Sequence, residues 1–231
     1  MKFLKILSIA LLSMFALRAI AGDKTKVSIL GDSYSTFEGC VTPSWNEVWY
    51  FNSPKLDKTD LTDPSQTWWR ILLEDEDYVL EKNNSFSGST ICTTGYNSAD
   101  FSDRSFISRM YNLGNPDLIL IFGATNDSWA NSPLGEFKWK GWNKEDLKSF
   151  RPALTYLLQN ITALYPESDF LYIINDGLKE EITTSIIEVC KRYNIPYVEL
   201  KDIDKTAGHP NINGMRQIAD QVKIFLTTQT N

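Results

Sequence analysis

The sequence predicts an α/β domain, a parallel sheet of about five strands with helices on both faces. Two observations carry this. Short apolar runs alternate with helical patterns along the chain, the order that lays strands side by side through crossover helices. The first and third runs, Lys26–Gly31 and Leu118–Phe122, are nearly continuous in Val, Ile and Leu, as expected of strands covered on both faces. The other strand candidates are Tyr78–Glu81, Phe170–Ile174 and Tyr197–Leu200.

Helices read clearly between them. Asp63-Pro64-Ser65-Gln66 has the form of an N-cap, a proline at N1 and a glutamine at N3, opening a helix through Leu73. Ser102 to Leu113 is a second. Lys144 to Tyr165 carries Leu147, Phe150, Leu154, Leu157, Leu158, Ile161 and Leu164 on one stripe. Pro152 inside it implies a kink, or a start near Phe150. Lys179 to Tyr193 and Ile212 to Leu226 complete the set. The connection from Tyr34 to Thr62 is long and rich in aromatics and prolines; loops of that length are usually functional or disordered.

The N-terminus has the features of a secretory signal. Two lysines lie in Met1–Lys5, Ile6–Leu17 is apolar but short for a bilayer, and Ala19-Ile20-Ala21 is a small-x-small cleavage pattern. The expected organisation is a signal peptide over 1–21 and a single domain over 22–231, exported to the periplasm or beyond, with no membrane span in the mature chain. Cleavage removes Lys2, Lys5 and Arg18 and no acid, moving the formal charge from −6 to about −9. Such a surface repels phosphate backbones, so no nucleic-acid partner is expected. Oligomeric state is not legible. Cys40, Cys92 and Cys190 have no metal-ligand spacing, so no metal is expected. Cys40 and Cys92 follow neighbouring strand-end loops, and a disulfide between them is an expectation for an exported chain.

Four short motifs carry chemistry. Gly31-Asp32-Ser33 ends the first strand, where a parallel sheet opens its ligand crevice. Alone, the tripeptide is a common turn. Asn84-Ser85-Phe86-Ser87-Gly88 follows the second strand, and Gly88 offers a backbone N–H with no side chain in the way. Gly123-Ala124-Thr125-Asn126-Asp127 follows the third, and the Asn126 amide can be aimed at a developing oxyanion. In isolation, each of these two is an ordinary turn. His209-Pro210-Asn211 holds the chain's one histidine. If a serine and an imidazole work together here, His209 is the base. The base must be neutral, so activity is expected to rise with pH through the ordinary imidazole pKa of ~6.5, unless a carboxylate raises it.

These motifs, in this order and on these strand ends, resemble the SGNH/GDSL hydrolase superfamily over nearly the whole mature chain. The resemblance implies a flavodoxin-like three-layer α/β/α sandwich that hydrolyses esters without a cofactor. It implies Ser33 as nucleophile and His209 as general base, with the oxyanion held by the N–H groups of Ser33 and Gly88 and the amide of Asn126. The chain departs from the pattern in the triad acid. The family usually has an aspartate three residues before the histidine, and Thr206 stands there. Asp204 is the nearest candidate, with Asp202 farther off; the alternative is a backbone carbonyl and a Ser-His dyad.

The seven tryptophans follow the site loops or lie in the adjoining helix. Trp45, Trp49, Trp129 and Trp139 are candidate platforms for sugar rings, whereas Trp68 and Trp69 fit the core of an amphipathic helix. The combined expectation is a serine esterase deacetylating carbohydrate, acting on a glycan or small-molecule ester. A lipase or lysophospholipase is the rival enzyme. A non-catalytic glycan-binding protein on the same fold is the rival outside enzymes.

Overall fold

The computed structural model describes residues 24–54, 57–75 and 77–229; the expected signal peptide lies outside them. Five parallel strands form one sheet: β1 (Thr25–Gly31), β2 (Tyr78–Asn83), β3 (Leu118–Phe122), β4 (Asp169–Ile174) and β5 (Tyr197–Glu199), in the order β2-β1-β3-β4-β5. β3 is buried at every residue and β1 from Val27 onward, which explains their unbroken apolar sequence.

Side chains alternate between the two faces. Leu30, Ile119, Ile121, Tyr172 and Ile174 face a core shared with α2 (Phe106–Arg109), α4 (Phe150–Leu164) and α5 (Glu180–Tyr193). Val27, Ile29, Leu120, Phe122 and Ile173 face the other, shared with α1 (Trp68–Leu72) and α6 (Ile212–Gln229). The result is a three-layer α/β/α sandwich, as expected. Trp68 and Trp69 are fully buried in the second core.

Helix starts follow local chemistry. Asp63 and Gln66 form the expected capping box, although a 3₁₀ turn (Pro64–Gln66) precedes α1. α4 begins at Phe150, so Pro152 lies in its first turn, where no intrahelical donor is lost. The expected helix over 102–113 shrinks to α2. Asp100 takes the Ser102 N–H, and Ser108 and Arg109 side chains donate to the carbonyls of Ser102 and Arg104, competing with the helical ladder.

The chain runs from β1 outward to β2, then returns to β3 on the other side of β1. This reversal opens a crevice between the carboxyl ends of β1 and β3. The Ser33, Asn84–Gly88 and Asn126 segments all leave the sheet at that end. No helix among the described residues is long and apolar enough to cross a membrane. The three cysteines are free. Cys40 packs with one core and Cys92 lies in the other, so the expected Cys40–Cys92 bridge does not form because the sheet separates them.

Candidate active site

Ser33 opens a short 3₁₀ turn (Ser33–Ser35) directly after β1, and Asp32 caps it by accepting from the Tyr34 N–H at 3.1 Å. Gly31 is required just before: a Cβ there would collide with the side chains of Ser85 and Ser35. Ser33 and His209 are nearly inaccessible, at 2% and 5% exposure.

His209 arrives on a tight hairpin. β6 (Lys205–Thr206) and β7 (His209–Pro210) pair antiparallel, with Thr206 opposite His209. The two linking residues, Ala207 and Gly208, have φ of 50° and 77°, the signature of a type I′ turn. Two tyrosines hold this hairpin: Tyr34 Oη donates to Gly208 O at 2.6 Å, and Tyr50 Oη to Pro210 O at 2.8 Å.

His209 Nε2 lies 2.9 Å from Ser33 Oγ, and Nδ1 lies 3.2 Å from Ala207 O. A carbonyl only accepts, so Nδ1 carries the proton and Nε2 is free to accept from the serine hydroxyl; the tautomer follows from this network. Burial pushes the imidazole pKa down to about 4; the charges of Lys205 and Lys58 act the same way, and the Ala207 carbonyl opposes them. The ordinary value of ~6.5 used for the sequence expectation therefore does not hold.

The structure does not bring Asp204 to the imidazole. The hairpin is so short that Thr206 stands opposite His209, and Asp204 falls beyond the ladder. Its carboxylate accepts from the Asn213 side chain and its N–H donates to Gln217, both on α6. Asp202 is exposed, with φ of 55°. The group at Nδ1 is a backbone carbonyl.

The Asn126 side chain is buried at the start of α3 (Thr125–Trp129). Its Nδ2 donates to Ser89 O at 3.0 Å, and its Oδ1 accepts from Tyr96 Oη at 2.7 Å. These two bonds fix which end of the amide is the donor, leaving its second N–H for a ligand. Gly88 has φ of +80° and open space where a Cβ would stand. The backbone N–H groups of Ser33 and Gly88 meet no acceptor among the described residues.

The tryptophans separate. Trp49 stacks face to face on His209, with centroids 3.6 Å apart and planes 7° off parallel. Trp129, 41% exposed, presents its ring to His209 at 5.5 Å, and Trp45 is 80% exposed. Trp139 is not at the site: it stacks on Phe137 and lies under Arg192, against α5. A cavity of about 380 Å³ opens at the ends of β4 and β5, lined by Asp176, Glu199 and Asp202 among others, without Ser33 or His209.

A family model described as GDSL-like lipase/acylhydrolase matches residues 25–226. The chain belongs to the GDSL-like lipase/acylhydrolase family. No curated protein matches it. Among solved structures it is similar to a protein assigned as a GDSL-like lipase from Bacteroides ovatus ATCC 8483: 54% identity, 89% of this chain and 99% of that one covered, TM-score 0.87. A counterpart from Bacteroides uniformis ATCC 8492 is 50% identical over 89% and 96% of the two chains, with a TM-score of 0.86. An acetyl xylan esterase from Butyrivibrio proteoclasticus shares the fold at 16% identity over 89% and 64%, with a TM-score of 0.58.

This GDSL-family site depends on further buried groups: Arg109, which lies outside the motifs, and the two motif carboxylates Asp32 and Asp127. Arg109, 6% exposed, donates to Gly31 O at 3.0 Å, Ser89 Oγ at 2.9 Å, and the carbonyl of Asn84. It thereby ties the loops after β1 and β2 together. Burial pulls its pKa down to about 9, with the Asp32 charge opposing. Asp127 accepts from the N–H groups of Ile91 and Cys92 at 2.7 and 3.3 Å, and burial raises its pKa to about 6. Asp32 is wholly buried; Oδ2 has no hydrogen-bond partner among the described residues, and burial raises the group to about 7 despite the Tyr34 N–H, the Thr125 hydroxyl and the Arg109 charge. Tyr96 likewise carries no motif: nothing in its sequence neighbourhood announces that its phenol reaches Asn126.

Proposed function

We propose that this acylhydrolase is an exported esterase that removes acetyl or similar short acyl groups from carbohydrate through an acyl-enzyme on Ser33. The observation that carries the reading is the 2.9 Å contact between Ser33 Oγ and His209 Nε2, with the proton held on Nδ1 by Ala207 O.

In this reading Ser33 Oγ bonds to the ester carbonyl carbon while its proton passes to His209 Nε2. The carbonyl oxygen becomes an oxyanion, held by the N–H groups of Ser33 and Gly88 and the free N–H of Asn126. The tetrahedral adduct collapses by breaking the bond to the alcohol oxygen, which takes the proton from Nε2 and leaves. Water then adds to the acyl-serine by the same route, giving the carboxylic acid and free Ser33. His209 and Ser33 form a dyad, with the Ala207 carbonyl in the place of a triad acid.

Support for a carbohydrate substrate comes from two sides. Trp129 and Trp45 offer exposed aromatic faces, Trp129 beside the imidazole. Structures with the same fold include an acetyl xylan esterase and a family two carbohydrate esterase from Clostridium thermocellum solved with cellohexaose. Export rests on residues 1–21, whose pattern is that of a cleaved signal.

Incubation with acetylated xylan and with acetyl and long-chain nitrophenyl esters tests the function. Acetate release, with the acetyl ester preferred, is the expected result. Preference for the long chain would favour a lipase, and no turnover at all would favour a glycan binder.

A further inference from the structure

We propose that Trp49 is a positioning residue for His209, its indole face holding the imidazole in plane and stabilising an imidazolium whose Nδ1 meets a carbonyl rather than a carboxylate. The proposal rests on the esterase reading for its catalytic consequence, though the contact itself can be tested without any substrate.

The geometry is that of a cation–π pair in waiting. The indole and imidazole rings lie 3.6 Å apart and 7° from parallel. An indole face is the strongest aromatic acceptor of positive charge. The imidazole has one charge-neutral acceptor at Nδ1, the Ala207 carbonyl. A carbonyl fixes the tautomer but offsets positive charge less than a carboxylate.

The stack is anchored to the nucleophile. Trp49 N–H donates to Thr36 Oγ1 at 2.9 Å, and Thr36 Oγ1 donates to Ser33 O at 2.9 Å. The next residue, Tyr50, reaches Pro210 O beside the histidine. Indole and imidazole are thus each tied, within one or two hydrogen bonds, to the same turn. The indole Nε1 is buried with no hydrogen-bond partner among the described residues. The ring is therefore placed by its face rather than by its polar edge, and a phenyl ring could replace it without leaving an acceptor unpaired.

The groups facing His209 are few. Lys205 and Lys58 lower its proton affinity, and the Ala207 carbonyl raises it. Lys58 Nζ also lies 5.6 Å from the Trp49 ring centre. Tyr34, Tyr50 and Trp129 present neutral rings. Ser33 Oγ stands at Nε2.

The test compares Trp49→Phe with Trp49→Leu in the chain without a histidine tag. His209 is its only histidine, so one imidazole resonance can be followed by NMR across pH 3 to 7, alongside kcat and KM for an acetyl ester. The order of kcat should be Trp, Phe, Leu, with Leu about 3- to 30-fold below Trp and KM little changed. The imidazole midpoint should fall in the Leu variant by about 0.4 to 1.5 pH units. If Leu folds poorly, Trp49→Met supplies an apolar side chain without a π face. Equal behaviour of Phe and Leu would reduce Trp49 to a space filler and overturn the proposal. A midpoint that rises in the Leu variant would also overturn it, because then the indole only keeps water out. Absence of turnover in the wild type would remove the esterase reading, while the titration would still decide whether Trp49 supports the imidazolium.

Discussion

His209 Nδ1 faces the carbonyl oxygen of Ala207 at 3.2 Å. The position that a triad aspartate would occupy is filled by the turn of the histidine's own hairpin. Asp204, one residue beyond the ladder, is held by Asn213 and Gln217 instead.

Asp204→Asn should therefore change turnover by no more than about twofold, and Asp202→Asn likewise. Loss of a triad aspartate costs up to ~10⁴-fold. A loss of that order in kcat for Asp204→Asn would return the carboxylate to the mechanism.

The acid limb of kcat/KM should lie near pH 4 instead of ~6.5. The sign follows from the roles. A base must be neutral, the buried imidazole stays neutral down to about pH 4, and activity should be lost only as pH falls through that value. The same shift costs stability as pH falls below ~6.5, where the unfolded imidazole takes a proton and the folded one does not. Asp32, raised to about 7, is the control: a limb near neutrality that vanishes in Asp32→Asn belongs to that carboxyl. A limb near 6.5 that depends on His209 would contradict the buried-imidazole geometry.

Asn126→Ala should lower kcat about 10²–10³-fold with KM little changed, the cost of an oxyanion donor. Tyr96→Phe removes the bond that orients the amide and should cost less, about 3- to 10-fold, in line with one hydrogen bond. If Tyr96→Phe raised only KM, Tyr96 would be a substrate contact instead.

Arg109→Ala should destabilise the fold by about 3 kcal/mol or more, because buried acceptors on the loops after β1 and β2 lose their donor together. Urea denaturation measures it. A cost under about 1 kcal/mol would mean that the loops hold each other without the guanidinium.

Much of this was legible in the sequence, for particular reasons. β3 was readable residue for residue because a doubly covered strand has no polar position to blur its ends. The loops bearing Ser33, Gly88 and Asn126 could be set on one sheet edge because parallel topology leaves little choice. Two things were hidden. Whether Asp204 or a carbonyl meets His209 depends on the two-residue hairpin, and Ala207-Gly208 with Thr206 before it gives only a weak turn signal. Trp49 and Trp139 looked alike as aromatics on long connections. One folds over His209 and the other packs on α5, a difference set by tertiary contacts such as those of Thr36 and Arg192. Arg109 lies inside the segment expected as a helix over 102–113, and nothing in that sequence announces that its guanidinium is buried.

Labelling by a fluorophosphonate probe, located by peptide mass spectrometry in the wild type, Ser33→Ala and His209→Ala, tests the Ser33–His209 dyad most directly. One adduct on the Ser33 peptide is expected, absent from Ser33→Ala and slowed by orders of magnitude in His209→Ala. An unlabelled wild-type chain, or an adduct that survives Ser33→Ala, would contradict the dyad.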